Sequence, residues 1–187
     1  MKIAIIGATG NVGSRILAEA MHRGHNVTAL ARNPSRFQGQ AHVTPVPVDV
    51  TNADALIRSL QGHDAIVSAL HFDGTDVQSL IHAVRASGVK RLLVVGGAGS
   101  LEVAPGKVLV EQPGFPAEYK NEATAGKHFL DTLRCAFLLL DAVLQSIDFV
   151  FECTIRLLEL GPVSEQGEDA ILLGGRRFLA KVELEES

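Results

Sequence analysis

Five short apolar runs divide the first half of the chain. They are rich in Val, Ile and Leu and are bounded by turn residues, which is typical of strands rather than helices. The runs are Lys2–Ile6, Asn26–Leu30, His42–Val48, Ala65–Leu70 and Arg91–Val95. Parallel strands covered on both faces give continuous apolar runs, whereas half-exposed antiparallel strands alternate apolar and polar residues. The pattern predicts a parallel sheet whose strands are buried on both faces.

Amphipathic segments separate these runs, with apolar residues recurring every three or four positions as on one face of a helix. The repeating residues are Val12, Ile16, Leu17 and Ala20, then Leu56, Ile57 and Leu60, then Val77, Leu80, Ile81 and Val84. Gly24 and Gly88 stand where two helices should end, because glycine adopts left-handed backbone angles at little steric cost. Strand–helix alternation with right-handed crossovers predicts a doubly wound α/β fold of three layers, αβα, with a ligand crevice at the carboxyl ends of the strands.

The regular alternation stops at residue 96. Residues 96–121 are rich in Gly and Pro and predict a long lid or binding loop, with a short hairpin through Lys107–Val110 as one way to fill it. Helical spacing returns at Glu122–Leu133. Residues 135–151 are the most apolar stretch and predict a buried helix followed by a strand, since Asp141, Gln145 and Asp148 interrupt it before the length of a membrane span. Further on, Gly174-Gly175 predicts a turn between two short strands.

Composition narrows the class of protein. A chain of 187 residues fits one domain, 1–187, and needs no disulfide framework. The net charge of -4, the scattered basic residues and the absence of Trp argue against a nucleic-acid partner. Cys135 and Cys153 stand in apolar surroundings without CxxC spacing, which predicts two small buried side chains. We expect a cytoplasmic protein with no membrane partner, and monomer and homodimer remain open.

A glycine-rich segment, Gly7-Ala8-Thr9-Gly10-Asn11-Val12-Gly13, follows the first strand and opens the first helix. In that context Gly7 permits a sharp turn, Gly10 lets backbone N–H groups approach a pyrophosphate, and Gly13 allows close packing of helix on sheet. The helix N-terminus adds partial positive charge and free donors. The segment predicts a Rossmann-type NAD(P)-binding fold, and the alternative is a tight turn that binds nothing.

The end of the second strand indicates which nicotinamide nucleotide is preferred. NAD-specific folds place an acidic residue there to bind the ribose 2′-hydroxyl, but this chain has Arg32, with Arg36 close behind. A guanidinium can bind a 2′-phosphate, so the sequence predicts NADP(H); a merely solvated Arg32 is the alternative. After the third strand, Asp49 could accept an adenine amino hydrogen while Val50 covers the ring. Asp49 could equally cap the helix that starts near Ala53.

Taken together, the segments GATGNVGS and ALARNP, the Asp49-Val50 pair, Ser68-Ala69-Leu70 and LLVVGGAGSLEV resemble the NmrA-like atypical short-chain dehydrogenases. The resemblance is strongest to their NADH-flavin reductase and biliverdin-reductase-B-like group, and it covers residues 1–135. It implies an NADP(H)-dependent oxidoreductase whose nicotinamide lies near Gly96 and Gly97. The further cofactor contacts that it implies are Gly7, Thr9, Gly10, Asn11, Val12, Arg32, Asp49, Val50, Ala69 and Leu70.

Two departures from that family change the expected chemistry. Ordinary short-chain dehydrogenases pair a Tyr with a Lys four residues later, but here Tyr119 is followed at that distance by Ala123. Gly97 stands where some related reductases carry a Ser, and Ser100 is the nearest hydroxyl. Residues 136–187 also diverge, because Glu152–Arg156 and Leu160–Pro162 replace the segments that relatives use around the substrate.

The expected function follows from these features. Hydride transfer to a flavin- or quinone-like acceptor needs mainly positioning, so a dedicated acid is optional, and Tyr119 is the candidate to contact the acceptor or donate a proton. A non-enzymatic NADP(H) sensor of the NmrA-like kind is the alternative. The dispersed histidines, including His63 and His82, fit no metal-ligand spacing, so no metal is expected. His71 could meet a substrate but is more simply a solvated loop residue.

Overall fold

A computed structural model of the chain describes residues 1–141 and 179–183, with side chains described through residue 136. The strands are β1 (Lys2–Ile6), β2 (Asn26–Ala31), β3 (Val43–Pro47), β4 (Ala65–Ser68), β5 (Arg91–Val95), β6 (Glu102–Ala104), β7 (Lys107–Val108) and β8 (Leu179–Glu183). The helices are α1 (Asn11–His22), α2 (Ala53–Leu60), α3 (Val77–Ser87) and α4 (Ala117–Asp141).

Six strands form the main sheet in the order β3-β2-β1-β4-β5-β8. The first five are mutually parallel, as the continuous apolar runs predict. β8 pairs antiparallel with β5, from Arg91 opposite Glu183 to Val95 opposite Leu179, and this antiparallel edge was not foreseen. The chain order reverses between β1 and β4, so the helices that follow them lie on opposite faces of the sheet. The crevice left between the segments that leave these strand ends is the usual ligand site of open parallel sheets.

Helices cover both faces of the sheet and confirm the three-layer αβα architecture. On one face, α2, α3 and α4 bury Leu56, Leu80 and Phe129 against strand residues such as Ile6 and Ile66. On the other face, α1 buries Leu17 and Ala20 against Ile5, Val27 and Val67. The centre of the sheet is fully enclosed, since Ala4, Ile5 and Ile6 of β1 are all 0% exposed.

The helix ends follow from local chemistry. Asn52 begins α2 by accepting the Ala55 N–H at 3.0 Å, and Asp76 begins α3 by accepting the Gln78 N–H at 3.0 Å. Gly88 ends α3 in the left-handed conformation, with φ of 74°, as predicted. Gly24 likewise has φ of 75° just past α1. These caps orient the helices that flank the crevice.

Three sequence-based predictions are wrong in detail. β3 is a half-buried edge strand, not a strand buried on both faces; its Pro45 and Pro47 suit an edge because Pro cannot donate to a neighbouring strand. α4 begins at Ala117 instead of Glu122. The short hairpin that the sequence allowed in the preceding loop is present as the antiparallel pair β6–β7, in which β7 spans Lys107–Val108. Cys135 is exposed, because the helical period places Leu133 on the buried face and Cys135 beside it.

The rest of the C-terminal predictions, the strand after α4, the Gly174-Gly175 turn and the burial of Cys153, concern residues outside the described ranges. Among residues 1–141 and 179–183, no helix is long and apolar enough to cross a membrane.

Candidate cofactor-binding site

The predicted glycine-rich segment forms the tight turn between β1 and α1. Gly7 has φ of +79°, which favours glycine, and the Gly10 N–H donates to the Gly7 carbonyl at 3.0 Å. The N–H groups of Gly7 and Ala8 both donate to the Leu30 carbonyl, at 2.9 and 3.2 Å. The bonds to Leu30 therefore anchor the turn to the end of β2, and the Gly10–Gly7 bond closes the turn at the middle of the sheet.

Side chains have no room at two of these glycines. A Cβ on Gly13 would lie 2.2 Å from the Gly7 carbonyl oxygen, and a Cβ on Gly7 would lie 2.8 Å from the Ala69 carbonyl oxygen. Both neighbours are backbone atoms of packed elements and cannot swing aside. These glycines therefore allow α1 to pack closely onto the end of β1 and the end of β4 to pack against the turn.

The first turn of α1 is suited to a phosphate group. Gly10 is the N-cap residue and supplies no side-chain oxygen, so the first N–H groups of α1, including those of Asn11 and Val12, are left to other acceptors. No acidic residue lies in this first turn. Backbone donors and the helix dipole therefore favour a pyrophosphate at this point, and Thr9 lies in the adjoining turn.

Two arginines follow β2 beside this turn. Arg32 is exposed directly after the strand, where it can reach a ligand without giving up a buried contact. Arg36 is more constrained, since its Nη2 donates to the Ala8 carbonyl at 3.4 Å and its guanidinium lies 4.7 Å from the Phe37 ring centroid. Both cations therefore lie just after β2, and Arg36 contacts the glycine-rich turn directly.

Asp49 follows β3 next to these cations. Its Oδ1 accepts the backbone N–H of Thr51 at 3.0 Å and the Thr51 hydroxyl at 2.8 Å, and these two bonds hold the pKa of Asp49 below its ordinary value, with a smaller contribution from Arg32. The alternative role as the α2 cap belongs to Asn52 instead, a residue that the N-cap preference of Asn could have indicated. Val50 is half-buried and packs against the core beside Asp49.

The other predicted contacts lie on the second half of the crevice. The Ala69 N–H donates to the Ile6 carbonyl at 2.9 Å, which brings Ala69 and Leu70 alongside Gly7. Gly96 and Gly97 follow β5, the next strand, and a Cβ added to Gly97 would meet nothing within 4 Å. The fold thus brings the predicted residues of β1, β2, β3, β4 and β5 to one edge of the sheet.

Tyr119 lies in the first turn of α4 and is 36% exposed. One turn later on the same face, Ala123 packs against the segment after β5, because a Cβ on buried Gly99 would lie 2.6 Å from the Ala123 Cβ. Ala123 occupies the position of the Lys in a Tyr–Lys pair, and this close contact suits a small side chain there.

The structure adds a residue that sequence reasoning missed. The Glu122 carboxylate accepts the N–H groups of Phe72 at 2.9 Å and Asp73 at 2.8 Å, and its Oε1 lies 3.4 Å from His71 Nδ1. The side chain of His71 itself is 93% exposed, in line with a loop histidine. Fifty residues separate the partners along the chain, so no local pattern signals this contact.

No group of three or more His, Cys, Asp or Glu side chains in the described part of the chain could hold a metal ion. The glycine-rich turn, the N-terminus of α1 and the arginines after β2 together resemble a site for a dinucleotide.

The chain belongs to the NAD(P)H-binding family, which matches residues 7–135. This membership agrees with the resemblance to NmrA-like atypical short-chain dehydrogenases. One relative, the uncharacterised protein YwnB of Bacillus subtilis, is 42% identical over 133 residues, which cover 66% of this chain and 61% of YwnB.

Solved structures give the same fold. A candidate exported protein of Burkholderia pseudomallei is 43% identical with a TM-score of 0.64, and a candidate NADH-flavin reductase of Streptococcus pneumoniae is 35% identical with a TM-score of 0.58. Each match covers 72% of this chain and 66% of the other. The chain therefore spans less than two thirds of the length of YwnB and about two thirds of the length of each of these two solved proteins.

Proposed function

We propose that this protein is an NADPH-dependent reductase that transfers a hydride to a small flavin- or quinone-like acceptor. The observation that carries the proposal is the turn around Gly7 and Gly13, whose backbone leaves the α1 N-terminus open to a pyrophosphate. Membership of the NAD(P)H-binding family and the likeness to a candidate NADH-flavin reductase support the same chemistry.

Preference for NADPH over NADH rests on Arg32. An exposed guanidinium at the end of β2 can form charge-assisted hydrogen bonds with a 2′-phosphate, and NADH has no such group. Such bonds contribute about 1.5–3 kcal/mol, which corresponds to about a 10- to 100-fold difference in affinity.

The acceptor is expected beside Gly97 and Tyr119. A bound nicotinamide supplies the hydride, while this chain orients the acceptor over it. A Cβ on Gly97 would meet nothing within 4 Å, so the chain just after β5 has no side chain packed against it at this point. A flavin or quinone can take its proton from water, so Tyr119 serves as a contact or proton donor without a Lys partner at position 123.

A non-enzymatic NADP(H) sensor is the second candidate function. It is favoured by one observation, the tight packing of Ala123 on Gly99 at the place where dehydrogenases of the Tyr–Lys type carry their Lys. A sensor would bind the nucleotide in the same turn but would not turn it over.

The test is a titration of the purified protein with NADPH and with NADH, followed by nicotinamide fluorescence. Arg32→Ala should raise the NADPH Kd by about 10-fold or more while changing the NADH Kd little. Arg58→Ala is the matched control, because Arg58 is an exposed arginine in the last turn of α2, at the opposite edge of the sheet. If neither nucleotide binds the wild type, the reductase and sensor proposals both fail.

Turnover separates the two candidate functions. NADPH oxidation is followed at saturating NADPH with FMN, FAD and menadione as probes. Oxidation above the rate without protein supports the reductase, whereas tight binding with no oxidation by any probe supports the sensor.

A further inference from the structure

One face of α4 holds the loop that follows β4. Glu122, Gly126 and Phe129 are spaced four and three residues apart and therefore lie on the same side of the helix. Glu122 accepts two backbone N–H groups of the loop, at Phe72 and Asp73. The Phe72 ring fills the space beside Gly126, where a Cβ would lie 2.8 Å from Phe72 Cδ2, and its centroid lies 5.1 Å from that of Phe129.

The same loop forms one wall of the cofactor crevice. Its first residues, Ala69 and Leu70, lie against Gly7, and a Cβ on Gly7 would be 2.8 Å from the Ala69 carbonyl oxygen and 3.4 Å from Leu70 Cδ2. The loop is therefore fixed at one end by the glycine-rich turn and, two to four residues later, by α4. Phe72 and Asp73 have no strand partner for these N–H groups, so Glu122 supplies the acceptors.

We propose that Glu122 is a positioning residue of the cofactor site, which holds the loop after β4 in place beneath the nicotinamide half of the dinucleotide. This inference rests on the proposed function. Arg32 and the glycine-rich turn hold the other half of the dinucleotide, and they do not depend on Glu122. Loss of the Glu122 contacts should therefore disturb the geometry of hydride transfer more than it weakens nucleotide binding.

α4 also contacts the segments that follow β5 and β7, which form the opposite wall of the crevice. Ala123 packs on Gly99 after β5, and Lys127 pairs with Glu111 at 3.7 Å in the turn after β7. α4 thus joins the two loops that flank the nicotinamide position, and Glu122 provides its polar contact to the first of them. Displacing either loop would change the distance between the nicotinamide and an acceptor beside Tyr119.

The test compares Glu122→Gln with Glu118→Gln, which removes an exposed carboxylate one turn earlier on α4. The Gln amide NH2 cannot accept an N–H, so one of the two loop contacts is lost. With the acceptor found most active on the wild type, Glu122→Gln should lower kcat about 10-fold and change the NADPH KM less than about threefold. Glu118→Gln should match the wild type. Glu122→Asp, which keeps the charge but is too short to reach both N–H groups, should also lower kcat.

Hydrogen exchange of the cofactor-free protein gives an independent readout. The N–H groups of Phe72 and Asp73 should exchange faster in Glu122→Gln than in Glu118→Gln, while β1 and β4 are unchanged. An unchanged kcat, or a raised KM with wild-type kcat, would overturn the positioning role even though the wild type binds and oxidises NADPH. A wild type that fails to bind NADPH overturns the proposed function and this role with it, and the two failures are thus distinguishable.

Discussion

Gly13 illustrates how single residues shape the cofactor turn. Its missing Cβ allows the start of α1 to approach the Gly7 carbonyl to a distance that no side chain would permit. Because the obstacle is backbone, a substitution must move α1 away from the sheet and with it the N–H groups that face the proposed pyrophosphate. The local spacing of the three glycines was enough to predict this role.

Gly13→Ala is therefore expected to lower the free energy of unfolding by about 1–3 kcal/mol and to weaken NADPH binding as well. Gly24→Ala is the comparison, because Gly24 has φ of 75° but open space around it. Its left-handed backbone should cost about 1–2 kcal/mol in stability, with the NADPH Kd unchanged. Urea unfolding and fluorescence titration measure both effects, and wild-type NADPH affinity in Gly13→Ala would contradict the steric argument.

Residue-level predictions succeeded where the determining contacts are local in sequence. The glycine-rich turn and Gly88 at the end of α3 both follow from a few neighbouring positions. Glu122 could not be found in this way, because its partners are Phe72 and Asp73, and only the fold brings them together. Cys135 was misassigned because apolar neighbours along the chain do not show which side of a helix faces the core.

At the scale of elements, α3 depends on the cap provided by Asp76. Its carboxylate accepts the Ser79 hydroxyl at 2.6 Å and the Gln78 N–H at 3.0 Å. These bonds lower the pKa of Asp76, with the Ser79 hydroxyl as the largest cause. A carboxyl whose pKa is lower when folded stabilises the protein above its unfolded pKa, and this contribution disappears as the pH falls through the folded pKa.

Asp76→Asn should consequently be less stable than the wild type at pH 7, while the difference shrinks below about pH 3.9, the pKa of an unperturbed aspartate. Asn can still cap the helix but does not titrate. Urea unfolding at pH 7 and at about pH 3 measures the two differences. An equal difference in the free energy of unfolding between wild type and Asp76→Asn at both pH values would show that the charge on Asp76 does not contribute to stability. Asp76→Ala, which removes cap and charge together, should be the least stable variant at pH 7.

Strands and helices were predictable where a single hydrophobic pattern, that of a buried strand or of an amphipathic helix, runs through the whole segment. Five apolar runs predicted the five parallel strands to within two residues of their observed ends, and the helical spacing between them predicted that α1, α2 and α3 exist. β3 was overestimated because its apolar run does not reveal that the strand lies at the edge. The start of α4 was placed late because Ala117–Asn121 are mostly polar, and a solvated first turn shows no apolar spacing.

At the scale of the whole molecule, the sheet has a protected centre and two edges. β1 and β4 lie in the interior, and the neighbours on both sides bond their backbone groups, whereas among the described strands β3 has a neighbour on one side only. The antiparallel pairing of β8 covers the outer side of β5. Sequence reasoning could not supply this last feature, because strand direction at an edge depends on the path of the chain that leads to it.

Amide hydrogen exchange should follow this arrangement. The N–H groups of Ala4 to Ile6 in β1 and Ile66 to Ser68 in β4 should exchange last, close to the rate set by global unfolding, and those of β3 should exchange earlier. NMR or mass spectrometry on the cofactor-free protein measures the order. Equal protection of β1 and β3 would indicate that β3 is covered by something other than β2, such as a second copy of the chain.

The position of β1 has a consequence for folding. β1 precedes the other described strands along the chain, yet it pairs on one side with β2 and on the other with β4, where Ile3 meets Ala65. The unit β1–α1–β2–β3 can therefore assemble while the other side of β1 still lacks its partner strand. Until β4 arrives, that side is an open strand edge able to pair with another chain. The nascent protein is most prone to aggregate during this interval, and chaperones that shield strand edges would be most useful then.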